Sequence, residues 1–156
     1  MNDEIGSIDG KRLIFPALAG IYGKLAGYGY AVVRVVMGAI LIPSGYDKMF
    51  LGGVYRIAKG NVMKVGVEPA IVWAWAVAGL EFFGAILLIL GLLTRPVAFA
   101  LVIMLAAITF RVQWDAGFLW LNRGYEVALM MMLVCLAYAF GGGGRYSLDR
   151  LIGREF

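Results

Sequence analysis

The chain contains no histidine and a single cysteine, Cys135. Without histidine it lacks the commonest haem and zinc ligand and the side chain that most readily exchanges protons near neutral pH. One cysteine cannot close a disulfide within the chain and forms no Cys-x-x-Cys pair, so no metal centre is expected and the redox compartment is not legible from cysteine. Charge is also scarce. Asp, Glu, Lys and Arg make up 15% of the residues, where ordinary soluble domains carry about 25%. The net charge of +4 is scattered over the polar ends of apolar stretches. Those positions suit lipid headgroups and water, and they form no nucleic-acid patch. No internal repeat or low-complexity tail is present.

What remains is apolar: 62% of the 156 residues, with a mean hydropathy of +0.85. That composition predicts one all-α integral membrane domain over residues 1–156. Met1–Gly10 is polar and acidic and reads as a frayed lead, not a signal peptide. In Lys11–Leu25, residues Ile14, Leu18, Ile21 and Leu25 share a helical face, which predicts an amphipathic helix lying on the membrane surface. Four spans are expected at about residues 26–46, 70–92, 97–112 and 123–140, packed as an antiparallel four-helix bundle. Between the first two, Val54, Ile57, Ala58 and Val62 suggest a short amphipathic helix. Thr94-Arg95-Pro96 reads as a tight turn, Trp114–Trp120 as an interfacial aromatic loop, Asn122 as a helix cap and Gly141–Gly144 as a helix stop. Arg145–Arg150 reads as a cationic surface tail. Four spans put both termini on one side, with seven Lys or Arg there against six opposite, which points to cytoplasmic termini. The lipid bilayer is the expected partner, and no nucleic acid is.

Two spans carry an ionisable residue. Glu81 lies on a stripe with Ala74, Ala78, Gly84 and Ala85, and Arg34 on one with Gly27, Ala31, Gly38 and Gly45. Small residues let another backbone approach, so both charges should face protein, and charges at such depth mark functional sites. Counting along the helices puts Arg34 about 12 Å and Glu81 about 15 Å from the terminal side. A buried Arg34–Glu81 ion pair is therefore expected. Arg111 and Glu126 fall at similar depth near the opposite surface and are expected to hydrogen-bond, with Asp47 and Lys48 beside them. A buried pair can also do no more than fix helix register. Met130–Met132 reads as packing and Cys135 as inert.

Four segments together resemble the DoxX family of small four-helix membrane proteins. They are Arg34 with Gly38 and Pro43-Ser44-Gly45-Tyr46-Asp47-Lys48; Glu81 with Gly84 and Gly91-Leu92-Leu93-Thr94-Arg95-Pro96; Gly124-Tyr125-Glu126; and Gly144-Arg145-Tyr146-Ser147-Leu148-Asp149. The resemblance implies a bacterial-type inner-membrane protein. It also implies an oxidoreductase label and kinship with the membrane subunit of thiosulfate:quinone oxidoreductase, and some members are linked to oxidative-stress or thiol-redox complexes. Thiosulfate chemistry would need a sulfur or metal centre that only Cys135 could begin to supply. A redox role therefore needs a quinone or a partner subunit to carry electrons, and a redox partner subunit or a homo-oligomer is the expected assembly. Quinone sites combine an apolar slot with one or two polar groups, which Arg34, Glu81 and Tyr46 could provide. Three functions are consistent with these residues: a redox accessory subunit that binds quinone or a similar lipophilic molecule, a small-molecule transporter or permeation module, and a purely structural subunit of a membrane complex.

Overall fold

The computed structural model describes residues 19–153, so the predicted surface helix falls outside the described residues up to position 18. All regular structure among the described residues is helical. Helix α1 runs Ala19–Phe50, passing through Pro43 without a break. Next comes α2, a helical stretch of residues 53–65, built from Gly53–Ile57, a π-helical turn at Ala58–Val62, and Met63–Val65. Helix α3 is Ala70–Leu90 and α4 is Thr94–Val112. Short turns at Trp114–Ala116 and Trp120–Asn122 lead to α5, Glu126–Gly141, and a final α6, Leu148–Ile152.

Three helical segments, Gly27–Phe50, Ala70–Leu90 and Thr94–Val112, are long and apolar enough to cross a membrane. Helix α5 is apolar but has 16 residues, about 24 Å of rise against a hydrocarbon thickness of roughly 30 Å. α1 packs along α3, α4 along α5, and α3 against α4, while α5 touches α1. Their shared core contains Met37 and Leu41, Ala85 and Leu88, Leu101 and Met104, and Met131 and Cys135, two from each of α1, α3, α4 and α5. The outward faces keep Val32, Ile40, Phe99, Phe110, Leu133 and Phe140 exposed. Apolar surface of that extent needs an apolar solvent.

Helix α2 contacts α1, α3 and the end of α4. It buries Val54, Ile57, Ala58 and Val62 against Ala74 of α3, the face its spacing predicts.

Several boundaries differ from the sequence-based expectation. Thr94 opens α4 instead of lying in a turn, because the reversal is completed by Gly91–Leu93. Gly91 adopts a left-handed conformation (φ 69°), and the Leu92 amide donates to the Leu87 carbonyl at 3.0 Å while Gly91 donates to Leu88 at 3.1 Å. This is the hydrogen-bond pattern of a Schellman helix stop. Asn122 caps no helix, since α5 begins at Glu126 after Tyr125. Gly141 ends α5 as expected, with Gly142 at positive φ.

Candidate functional site: an apolar cavity with Lys48 and Glu81 in its wall

The small stripe on α3 is buried as expected: Ala74, Ala78 and Ala85 have no exposed surface and Glu81 is 4% exposed. α1 reaches it through glycine. A β-carbon on Gly38 would meet the Ala85 carbonyl oxygen at 2.7 Å, and one on Gly45 would meet the Phe82 amide nitrogen at 2.5 Å. No side chain fits there, so Gly38 and Gly45 set both the approach and the register of the two helices. Lys48 lies one turn beyond Gly45. Its Nζ pairs with Glu81 Oε2 and donates to Ser44 Oγ at 2.5 Å. The side chains of Lys48 and Glu81 are 14% and 5% exposed, so the pair is largely withdrawn from water, where charge-assisted hydrogen bonds are strong.

Glu81 sits in a π-helical turn, Leu80–Gly84. The extra residue of such a turn rotates the rest of the helix by about 100° relative to its first half. A third π turn spans Ile108–Val112 at the end of α4. All three π turns meet at one cavity of about 400 Å³, through Asn61 and Val62 of α2, Leu80 and Glu81 of α3, and Ile108 and Val112 of α4. Its remaining wall is formed by Ile57, Val65, Val67, Trp73, Ala76, Val77, Ala100, Ile103, Met104 and Ala107, with Lys48. Among the described residues, Lys48 and Glu81 are the only charged ones in this lining. An apolar space of this size with a few polar groups at one place is the usual form of a small-molecule site.

Arg34 does not pair with Glu81. It is 2% exposed and donates to three backbone carbonyls: Gly143, Tyr146 at 2.8 Å and Ile89 at 3.4 Å. The depth count fails because it sets residue 26 level with the end of α3, whereas the Gly38 and Gly45 contacts fix a register in which α1 extends past that end. Arg34 is thereby level with Ile89–Gly91 at the end of α3, and Glu81 is level with the last turn of α1. Around Arg34, the Tyr138 hydroxyl donates to the Tyr30 carbonyl at 2.6 Å and the Tyr30 hydroxyl to the Gly142 carbonyl at 2.9 Å. The Asp149 carboxylate accepts from the Leu93 and Thr94 amides at 2.8 and 2.9 Å, where an anion also suits the start of α4. Residues 145–150 are therefore not simply a surface tail: Ser147 and Asp149 are 2% and 3% exposed.

The expected outer cluster does not form. Arg111 is exposed and has no ion pair among the described residues, while Glu126 accepts from the Trp120 amide at 3.2 Å. Asp47 pairs with Arg56 of α2 instead. Tyr46 is 48% exposed and packs on Phe50 and Phe82, outside the cavity lining. Of the seven candidate residues, Lys48 and Glu81 reach the cavity; Arg34, Tyr46, Asp47, Arg111 and Glu126 do not. Sequence reasoning misses Trp73, Asn61 and Met104 as lining residues, and Asp149 as a buried anion. The sequence does carry a signal for Asp149: a Ser-x-Asp after four glycines resembles a helix start, and Ser147 does cap α6 by accepting from the Arg150 amide at 3.3 Å.

A model of the DoxX family matches residues 29–114, a stretch that includes Arg34, Lys48, Glu81 and the whole cavity lining. An uncharacterized protein of Haemophilus influenzae is 37% identical over 130 residues, 81% of this chain and 92% of that protein. A second uncharacterized H. influenzae protein is 34% identical over 83 residues, 53% of this chain and 55% of that protein. An uncharacterized membrane protein of Mycobacterium tuberculosis is 28% identical over 133 residues, 79% of this chain and 80% of that protein. No solved structure matches the chain.

Proposed function

The chain belongs to the DoxX family, and from that premise we propose that it is a multi-pass inner-membrane subunit that holds a quinone or a similar lipophilic small molecule for a redox partner. The observation that carries this reading is the cavity of about 400 Å³, apolar except for Lys48, Glu81 and Asn61 in its lining. Its wall suits a ring or chain that has left the bilayer. Lys48 would orient an oxygen of the head by donating to it, and Glu81 would hold or accept a proton at its carboxylate. A bound quinone would supply the electron-accepting chemistry. Cys135 is fully buried in the core and does not line the cavity, so electrons would come from another subunit.

In this reading α5 is the fourth crossing. Its packing along α4 and its exposed Leu133 and Phe140 support that arrangement. Cytoplasmic termini are favoured by the seven Lys or Arg that this topology puts on the terminal side against six opposite.

Trp73 in the cavity wall gives the test. In protein with Trp75, Trp114 and Trp120 replaced by Phe, a decyl-substituted benzoquinone should quench Trp73 fluorescence saturably, and the cavity-filling Ala107→Phe should weaken binding by about tenfold or more. Quenching that never saturates, or that Ala107→Phe leaves unchanged, would overturn the reading.

A further inference from the structure

Lys48 and Glu81 cancel each other's charge, yet each keeps unused hydrogen-bonding capacity. The Lys48 ammonium has three hydrogens. One goes to Glu81 Oε2 and one to Ser44 Oγ, leaving for the third only a long 3.5 Å contact with the Ser44 carbonyl. Glu81 Oε1 has no hydrogen-bond partner among the described residues. In the cavity lining the pair therefore offers one strong donor and one strong acceptor with no net charge. Among the described residues, Asn61 is the only uncharged amide side chain in the lining, and the nearby Asp47–Arg56 pair is also internally neutral.

From this geometry we infer that the Lys48–Glu81 pair is a charge filter: the cavity accepts lipophilic molecules with an uncharged carbonyl or hydroxyl head and rejects lipid carboxylates and lipophilic amines. This rests on reading the cavity as a lipophile site. A carboxylate on the third Lys48 hydrogen would leave two anions sharing one buried cation. An amine on Glu81 Oε1 would likewise leave two cations sharing one anion. Either outcome strands a charge in a poorly solvated place, which is strongly unfavourable. A carbonyl needs only the third Lys48 hydrogen, and a hydroxyl can also donate to Glu81 Oε1. Neither has to break the pair. Removing one partner should then open the filter to one sign of charge, because a charged head would replace the missing side chain.

The experiment uses the full chain in nanodiscs with Trp73 as reporter and brominated ligands as quenchers, and takes the Ala107→Phe protein as the background for partitioning into lipid. Wild-type protein should bind brominated methyl dodecanoate at least about tenfold tighter than brominated dodecanoate at neutral pH, and the decyl-substituted benzoquinone tighter than brominated dodecylamine by a similar factor. Glu81→Gln should gain dodecanoate binding and Lys48→Met should gain dodecylamine binding, each by about tenfold. The wild-type ester-against-acid comparison stands even if a variant fails to fold. If the quinone binds but the ester, acid and amine bind alike, the filter is wrong while the site stands. If no ligand is distinguished from the Ala107→Phe background, the site itself is wrong and the filter falls with it.

Discussion

Lys48 on the last turn of α1 and Glu81 on the π turn of α3, 33 positions apart in sequence, form an ion pair that is almost fully withdrawn from water. The pair exists because the two backbones nearly touch at Gly45, one turn before Lys48. Gly45→Ala should force a β-carbon onto the Phe82 amide and the Glu81 carbonyl carbon, at 2.5 and 2.8 Å. Neither backbone can yield cheaply, so α1 and α3 should separate at a cost of about 1–3 kcal/mol, and quinone binding should fall with stability. Gly29→Ala, which meets nothing within 4 Å on the same helix, should be neutral or slightly stabilising, because alanine favours helix. Thermal unfolding in detergent compares the two variants. Equal melting temperatures would contradict this explanation of the register.

Arg34 should act as a structural clasp. Its guanidinium joins the end of α3 to the Gly143–Tyr146 segment through three carbonyls. Arg34→Met removes charge-assisted bonds worth about 1.5–3 kcal/mol each before relaxation. It should expose the bond after Arg145 to trypsin while leaving lipophile affinity within about twofold once corrected for folded fraction. Arg34→Lys should rescue little, because one ammonium cannot reproduce the planar fork. Loss of ligand affinity in folded Arg34→Met protein would show that Arg34 belongs to the binding site after all.

Topology can be read by cysteine labelling, since the only native thiol, Cys135, is fully buried. Lys59→Cys on α2 and Arg150→Cys on α6 should react with a membrane-impermeant maleimide from opposite faces of the membrane. Reaction of both from the same face would mean that α5 does not cross, and would remove the fourth span.

Much of the fold is legible in the sequence because membrane spans announce themselves by length and composition. The buried stripe of α3 and the inward face of α2 can be read directly from helical spacing. The partner of Glu81 cannot. Depth counting depends on where each helix begins and on how the helices slide past one another, and here the slide is set by Gly38 and Gly45 meeting backbone, a contact that spacing alone cannot place. A shift of this kind exchanges Arg34 for Lys48. The burial of Asp149 is hidden for a related reason: its partners are the amides of Leu93 and Thr94, exposed only because α4 starts earlier than its apolar run suggests. The cavity is least legible, since it depends on three π turns converging, and none has a distinctive residue pattern.

The most direct test of the central claim, that the cavity lined by Lys48 and Glu81 holds a lipophilic molecule, is photolabelling with an azido-substituted benzoquinone and peptide mass spectrometry of the product. The predicted result is adducts on lining residues such as Asn61, Trp73, Met104 or Ile108 that disappear when unlabelled quinone is added in excess. Adducts confined to the lipid-facing side chains Val32, Ile40 and Phe99, unaffected by competitor, would contradict it.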